Sequence, residues 1–113
     1  MEPTFTSNHI HTATPTSIHD GDTFQADVEL DFWVVARVTI RVHNLFCAEL
    51  SEPGGLAAAT AARGLLTGMP VTLRSYKDEL SYKRWICDVW LPDGRSFAEV
   101  MNLMGHGGKG AGT

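Results

Sequence analysis

The alternating run from Thr23 to His43 is the strongest constraint on what this chain can fold into. Phe24, Ala26, Val28 and Leu30 alternate with Thr23, Gln25, Asp27 and Glu29, and Val38, Ile40 and Val42 then alternate with Arg37, Thr39, Arg41 and His43. A period of two puts apolar side chains on one face of a strand and polar ones on the other, so both stretches predict half-buried strands. Asp31-Phe32-Trp33 reads as the hairpin connection between them. After a loop, LFCAELSEPGG, the period changes. Leu56, Ala59, Ala62 and Leu66 recur at helical spacing in an alanine-rich stretch that Gly68 and Pro70 close. Residues 71–76 and 82–91 return to strand, the second with Trp85, Cys87, Val89 and Leu91 on one face and Arg84 and Asp88 on the other. Ser96 and Glu99 then form a capping box for a helix that carries Phe97, Val100, Met101 and Met104 and stops at Gly105.

With a first strand leading into residue 18, the order is three strands, a helix, two strands and a helix. That order predicts a mainly β fold with two helices (α+β), specifically a closed five-stranded barrel of OB type. An open α+β sheet is the alternative. A chain of 113 residues supports one core. The expected organisation is a flexible lead over residues 1–16, a folded domain over 17–106 and a glycine-rich disordered tail over 107–113.

Charge narrows the function classes. The net charge is −4, so a nucleic-acid partner cannot be held by a basic surface at large and any polyanion site must be local. The N-terminal stretch MEPTFTSNHIHTATPTS has neither a basic region nor an apolar core, which argues against a signal peptide, and no stretch reaches membrane-spanning length. A cytoplasmic protein with no membrane partner is expected. Cys47 and Cys87 lack the C-x-x-C spacing of zinc or thioredoxin-type sites and read as reduced thiols.

Two Asp-Gly pairs invite comparison. Asp93-Gly94 lies between Pro92 and the helix cap Ser96, which makes it a plain turn. Asp20-Gly21-Asp22 in IHDGDTF lies instead within what reads as continuous strand, where glycine marks a bulge or a sharp bend. Such a bend would aim carboxylates, although taken alone the pair reads first as a tight turn between two strands. Singly, Arg41 at a strand end, Glu49 in a loop and Arg84 at a strand start are ordinary surface residues. Together they match phosphodiester hydrolysis, which needs cations at the phosphoryl oxygens, a base for water and commonly a divalent ion. Arginine grips two phosphate oxygens and keeps its proton; aspartate oxygens suit Ca²⁺.

Several motifs occur in an order that resembles the staphylococcal nuclease (thermonuclease) family. They are DGDTF, RVHNLFCAE, a G-x-x-A helix start at Gly55–Ala58, LLTGMPVTL, a Y-x-R before a strand, and a D-G-x-x-x-A/E-x-M helix ending in glycine. The series runs from about Ser17 to His106. The resemblance implies an OB barrel and a metal-dependent nuclease acting on DNA or RNA, the kind of small domain that suits a phage genome. It implies that Arg41 and Arg84 stabilise the phosphate and that Glu49 is, or orients, the general base. It further implies that Asp22 and the backbone carbonyl of Cys47 bind the metal, most often Ca²⁺, with Asp20 behind them, and that Tyr82 lies near the substrate phosphate.

The departures are informative. Phe46 stands where the family has an aspartate, Ala48 where it has a proline and Lys83 where it has a glycine. The family's C-terminal helix has no counterpart, which makes a homodimer an expectation too. An impaired OB module that binds nucleic acid or a protein is the alternative function, and a small assembly protein a third. Weaker signals are His9 with His11 as a metal pair, His19 and His43 near the site, Trp33, Trp85 and Trp90 as stacking platforms, and Lys109 as a phosphate contact.

Overall fold

The computed structural model describes residues 10–30, 33–76 and 84–107. Its elements in chain order are β1 (Ile10–Asp20), β2 (Thr23–Glu29), β3 (Val35–Val42), α1 (Gly55–Leu66), β4 (Val71–Ser75), β5 (Arg84–Trp90) and α2 (Phe97–Leu103). The strands close into a barrel in the order β1-β2-β3-β5-β4. This is the OB-like architecture expected from the sequence, and closure rules out the open sheet. β3 and β5 run parallel; every other pair is antiparallel.

Closure depends on β1, which serves two neighbours. Its first part pairs with β4, Ile10 opposite Arg74 through Ala13 opposite Val71. Its remainder pairs with β2, with register shifts between Pro15 and Ser17 and between Ile18 and Asp20. Proline has no N–H to give a ladder, so its place beside a shift is the one a strand tolerates. Bulges of this kind bend a strand and let a small barrel turn its corners. β1 therefore starts at Ile10, inside the segment expected to be a flexible lead. The reason that segment looks featureless is that its buried positions carry Ala13 and Pro15 rather than large apolar residues.

The alternation seen in β2 and β3 is real: Phe24, Ala26, Val28, Ile40 and Val42 point inward with Leu73, Cys87 and Val89. α1 covers the barrel with Gly55, Ala58, Ala59, Ala62 and Leu66, small residues that let helix and strands approach closely. Leu56 is not part of that face; it is 67% exposed, because the buried stripe is in phase with Gly55. Met104 is likewise the exposed C-cap of α2 rather than a core residue. Ser96 caps α2 as expected, its Oγ accepting the Glu99 N–H at 3.3 Å. Gly107, expected to begin a loose tail, is buried, and a Cβ there would collide with Asn102 and Leu45. Among the described residues no helix is long and apolar enough to cross a membrane.

Candidate functional site

The DGD segment is a two-residue turn joining β1 to β2, with Asp20 opposite Thr23. It is not a bulge inside one continuous strand; the register shift falls just before it, between Ile18 and Asp20. Gly21 is not needed here for a left-handed backbone, since the glycines with positive φ among the described residues are Gly54, Gly68, Gly94 and Gly105. It is needed for space. A Cβ at Gly21 would lie 2.7 Å from Cys47 Sγ and 2.9 Å from Ala58 Cβ. The turn is thus pressed against the loop that follows β3 and against α1. By contrast, Asp93-Gly94 is the plain turn its flanks predicted, with Gly94 at φ 91° and the Asp93 carboxylate accepting from Arg95 N–H at 3.0 Å.

Asp22 ties the turn to that loop. Its Oδ2 accepts the Cys47 N–H at 2.9 Å, its Oδ1 accepts the Thr23 hydroxyl at 3.1 Å, and its carbonyl accepts the Val42 N–H at 2.9 Å. Asp20 Oδ1 accepts the Asp22 N–H at 3.3 Å. Both aspartates are 7% exposed. Burial pushes the Asp20 carboxyl above the usual aspartate range, and the hydrogen bond and negative charge of Asp22 add to the shift. Burial also raises the Cys47 thiol to about 12, with Asp22 and Asp20 contributing, so the sulfur stays protonated and is no nucleophile at neutral pH.

Arg41 leaves the outer face of β3 and folds back over the same loop. Its Nη1 donates to the carbonyls of Val42 at 2.7 Å and Leu45 at 2.8 Å, and its Nη2 lies 3.6 Å from Asp22 Oδ2. The Phe46 ring sits 5.4 Å from the guanidinium carbon. Asn44 takes a positive φ of 60°, a conformation asparagine accepts more readily than most residues, which lets the loop turn back beneath Arg41. Further along, Glu49 sits above the first turn of α1. Its carbonyl accepts the Glu52 N–H at 2.8 Å and its N–H donates to Glu52 Oε1 at 2.8 Å. A side chain at Gly55 would strike the Glu49 carbonyl, so glycine there sets how low the loop can ride.

These elements enclose an open cleft of about 400 Å³. Asp20, Asp22, Arg41, Cys47, Glu49 and Arg84 all line it. So do His19, Thr23 and Phe46. Tyr82 lies outside the described residues, as do Lys83, His9 and Lys109. His43 does not line the cleft: its Nδ1 is 3.3 Å from Asp88 Oδ1, and its ring lies 4.3 Å from that of Tyr76, whose hydroxyl donates to Asp88 Oδ2 at 2.6 Å. None of Trp33, Trp85 and Trp90 lines it either; Trp85 packs on His11 at 5.5 Å. Among the described residues, the Phe, Tyr or Trp ring in the cleft is that of Phe46, 44% exposed. Sequence reasoning marked Phe46 only as a missing carboxylate, yet an aromatic side chain a few residues from a strand-end arginine is a legible stacking signal.

Asp20 and Asp22 suit a hard cation in kind, since their side chains offer oxygen alone. They are short in number. Among the described residues no three of the His, Cys, Asp and Glu side chains are grouped to hold an ion, and both Asp22 oxygens already accept protein hydrogens. The aspartate oxygens match a divalent ion in kind, but the described residues alone do not make up a coordination set for one. No protein-family model matches the chain, and no curated protein matches it either.

Proposed function

We propose that the cleft hydrolyses phosphodiester bonds of DNA or RNA. The observation that carries this reading is the meeting of Arg41, Arg84 and Glu49 around one open cleft whose floor is the Asp20–Asp22 turn. The motif order that resembles the staphylococcal nuclease family supports it. Arg41 comes to the reaction already positioned, because two backbone carbonyls fix its Nη1 while Nε and Nη2 stay outside those bonds. With Arg84 it balances the charge that grows on the non-bridging oxygens as water adds. Glu49 accepts a proton from that water; the water oxygen bonds to phosphorus, the bond from phosphorus to the leaving ester oxygen breaks, and that oxygen takes up a proton. Asp22 and the Cys47 carbonyl, with Asp20 behind, would hold a divalent ion, which would supply Lewis acidity.

The test is cleavage of supercoiled plasmid and of labelled single strands with Ca²⁺, Mg²⁺, Mn²⁺ or EDTA. Cleavage that EDTA abolishes is expected, and Glu49→Gln and Arg84→Ala should each lower it by about 10²-fold or more. Both residues are exposed, so neither change should unfold the protein. An inactive wild type that still binds single strands would favour the second reading, a non-catalytic OB module. The observation favouring that reading is that each Asp22 oxygen already accepts a hydrogen bond, one of them from the loop at Cys47.

A further inference from the structure

A second depression of about 510 Å³ opens beside the first, on the outer face of β1, β2 and β3. The two share His19, Thr23 and Arg84. Beyond those shared residues, the polar side chains of the second are Ser17, Gln25 and Thr39, and among the described residues no carboxylate lines it. Its shape follows from strand register. Gln25 lies between Ser17 on β1 and Thr39 on β3, and Thr39 lies beside Arg84 on β5, so these outward side chains form a row across neighbouring strands. Ser17 Oγ donates to Gln25 Oε1 at 3.4 Å, which holds the amide in the row and leaves its NH₂ outside that bond.

The chemistry changes abruptly at Arg84. On one side stand two arginines, two buried aspartates and a glutamate; on the other, beyond the shared His19, Thr23 and Arg84, the polar groups among the described residues are hydroxyls and an amide. A nucleic-acid chain alternates in the same way, an anionic phosphate followed by a neutral sugar and base that present hydroxyl, amine and carbonyl groups. Resting on the phosphodiester reading above, we infer that the second depression is a subsite for the nucleoside next to the phosphate being cut. Ser17, Gln25 and Thr39 hydrogen-bond that nucleoside, and Arg84 marks the boundary between the two subsites. Both volumes fall within the usual range for ligand sites. The preferred substrate is then a polynucleotide bound across both depressions, rather than any small phosphate diester.

The test uses the full chain and Gln25, a member of the row that does not line the first cleft. Gln25→Ala removes the amide, and Gln25→Trp fills the depression with a side chain that strands accept well. A fluorescein-labelled single-stranded decanucleotide in EDTA gives affinity by anisotropy. Its cleavage against that of bis(4-nitrophenyl) phosphate, which has no nucleoside, gives preference. Both variants should weaken decanucleotide binding by about tenfold, the worth of one or two hydrogen bonds, and lower the preference ratio by a similar factor. Unchanged affinity and ratio in variants with wild-type circular dichroism would overturn the subsite while leaving hydrolysis intact. A wild type that does not bind the decanucleotide would overturn it as well. Binding that is lost in the variants while neither substrate is cleaved would uphold the subsite and sink the hydrolytic reading.

Discussion

At Gly21 a single hydrogen fills the space between the turn, Cys47 and Ala58, so the residue acts through what it lacks. Gly21→Ala has no void to enter, and its neighbours are the body of a buried cysteine and a helix rather than a flexible tip. Overpacking of this kind costs about 1–3 kcal/mol, which should appear as a lower urea midpoint with an unchanged slope. Asp20 shows the opposite sort of strain. Its carboxyl titrates above the usual aspartate value because it is buried and faces Asp22. The fold therefore binds that proton more tightly than the unfolded chain does. The stability this contributes is fully present below the ordinary aspartate pKa and is lost as pH rises through the raised one. Asp20→Asn keeps the side-chain oxygen that accepts the Asp22 N–H and removes the charge. The variant should melt higher than wild type at about pH 7, with the gap closing below about pH 4. A gap that widens in acid would show that Asp20 is a favourable charge in the fold.

Among the elements, the loop between β3 and α1 carries most of the cleft wall and is held largely by side chains. Arg41 clasps the Val42 and Leu45 carbonyls, and Asp22 clasps the Cys47 N–H. Arg41→Lys keeps the charge but loses the planar fork that serves both carbonyls while facing the cleft. We expect a loss of about 1–3 kcal/mol and faster amide exchange at Cys47, with exchange at the core strands unchanged. The elements themselves were legible in the sequence wherever burial fell on large side chains, as in β2, β3 and α2. They were illegible where it fell on Ala13 and Pro15, and in the first turn of α1, where Gly55 and not Leu56 is buried although Ala59, Ala62 and Leu66 are buried as expected. The charged lining of the cleft was legible because its residues lie at strand ends, in a turn or in the loop after β3, all within short motifs that stand out in the sequence. The resemblance placed Asp22 and Cys47 at one site, but the hydrogen bond from the Cys47 N–H to Asp22 was not legible. It joins residues far apart in the chain, and no local pattern encodes it.

At the scale of the whole molecule, thirteen carboxylates oppose nine lysines and arginines, so the surface at large repels a polyanion. Several of the cations are also occupied at a distance from the cleft: Arg37 pairs with Asp27 at 2.8 Å and Arg95 with Asp93 at 2.7 Å. If nucleic acid binds where Arg41 and Arg84 meet, few phosphates are neutralised, and few counterions are released. For a single strand the logarithm of affinity falls with the logarithm of salt by about 0.7 for each phosphate contact, so two contacts give a slope of about −1.4. Titrating the Glu49→Gln variant with a labelled single strand across about 50–300 mM salt measures that slope without cleavage. A value near the expected one places binding in the cleft, and Arg84→Ala should lower it by about half. A slope of about −4 or steeper would mean a long cationic track elsewhere on the barrel, and the cleft would then not be where the strand is held.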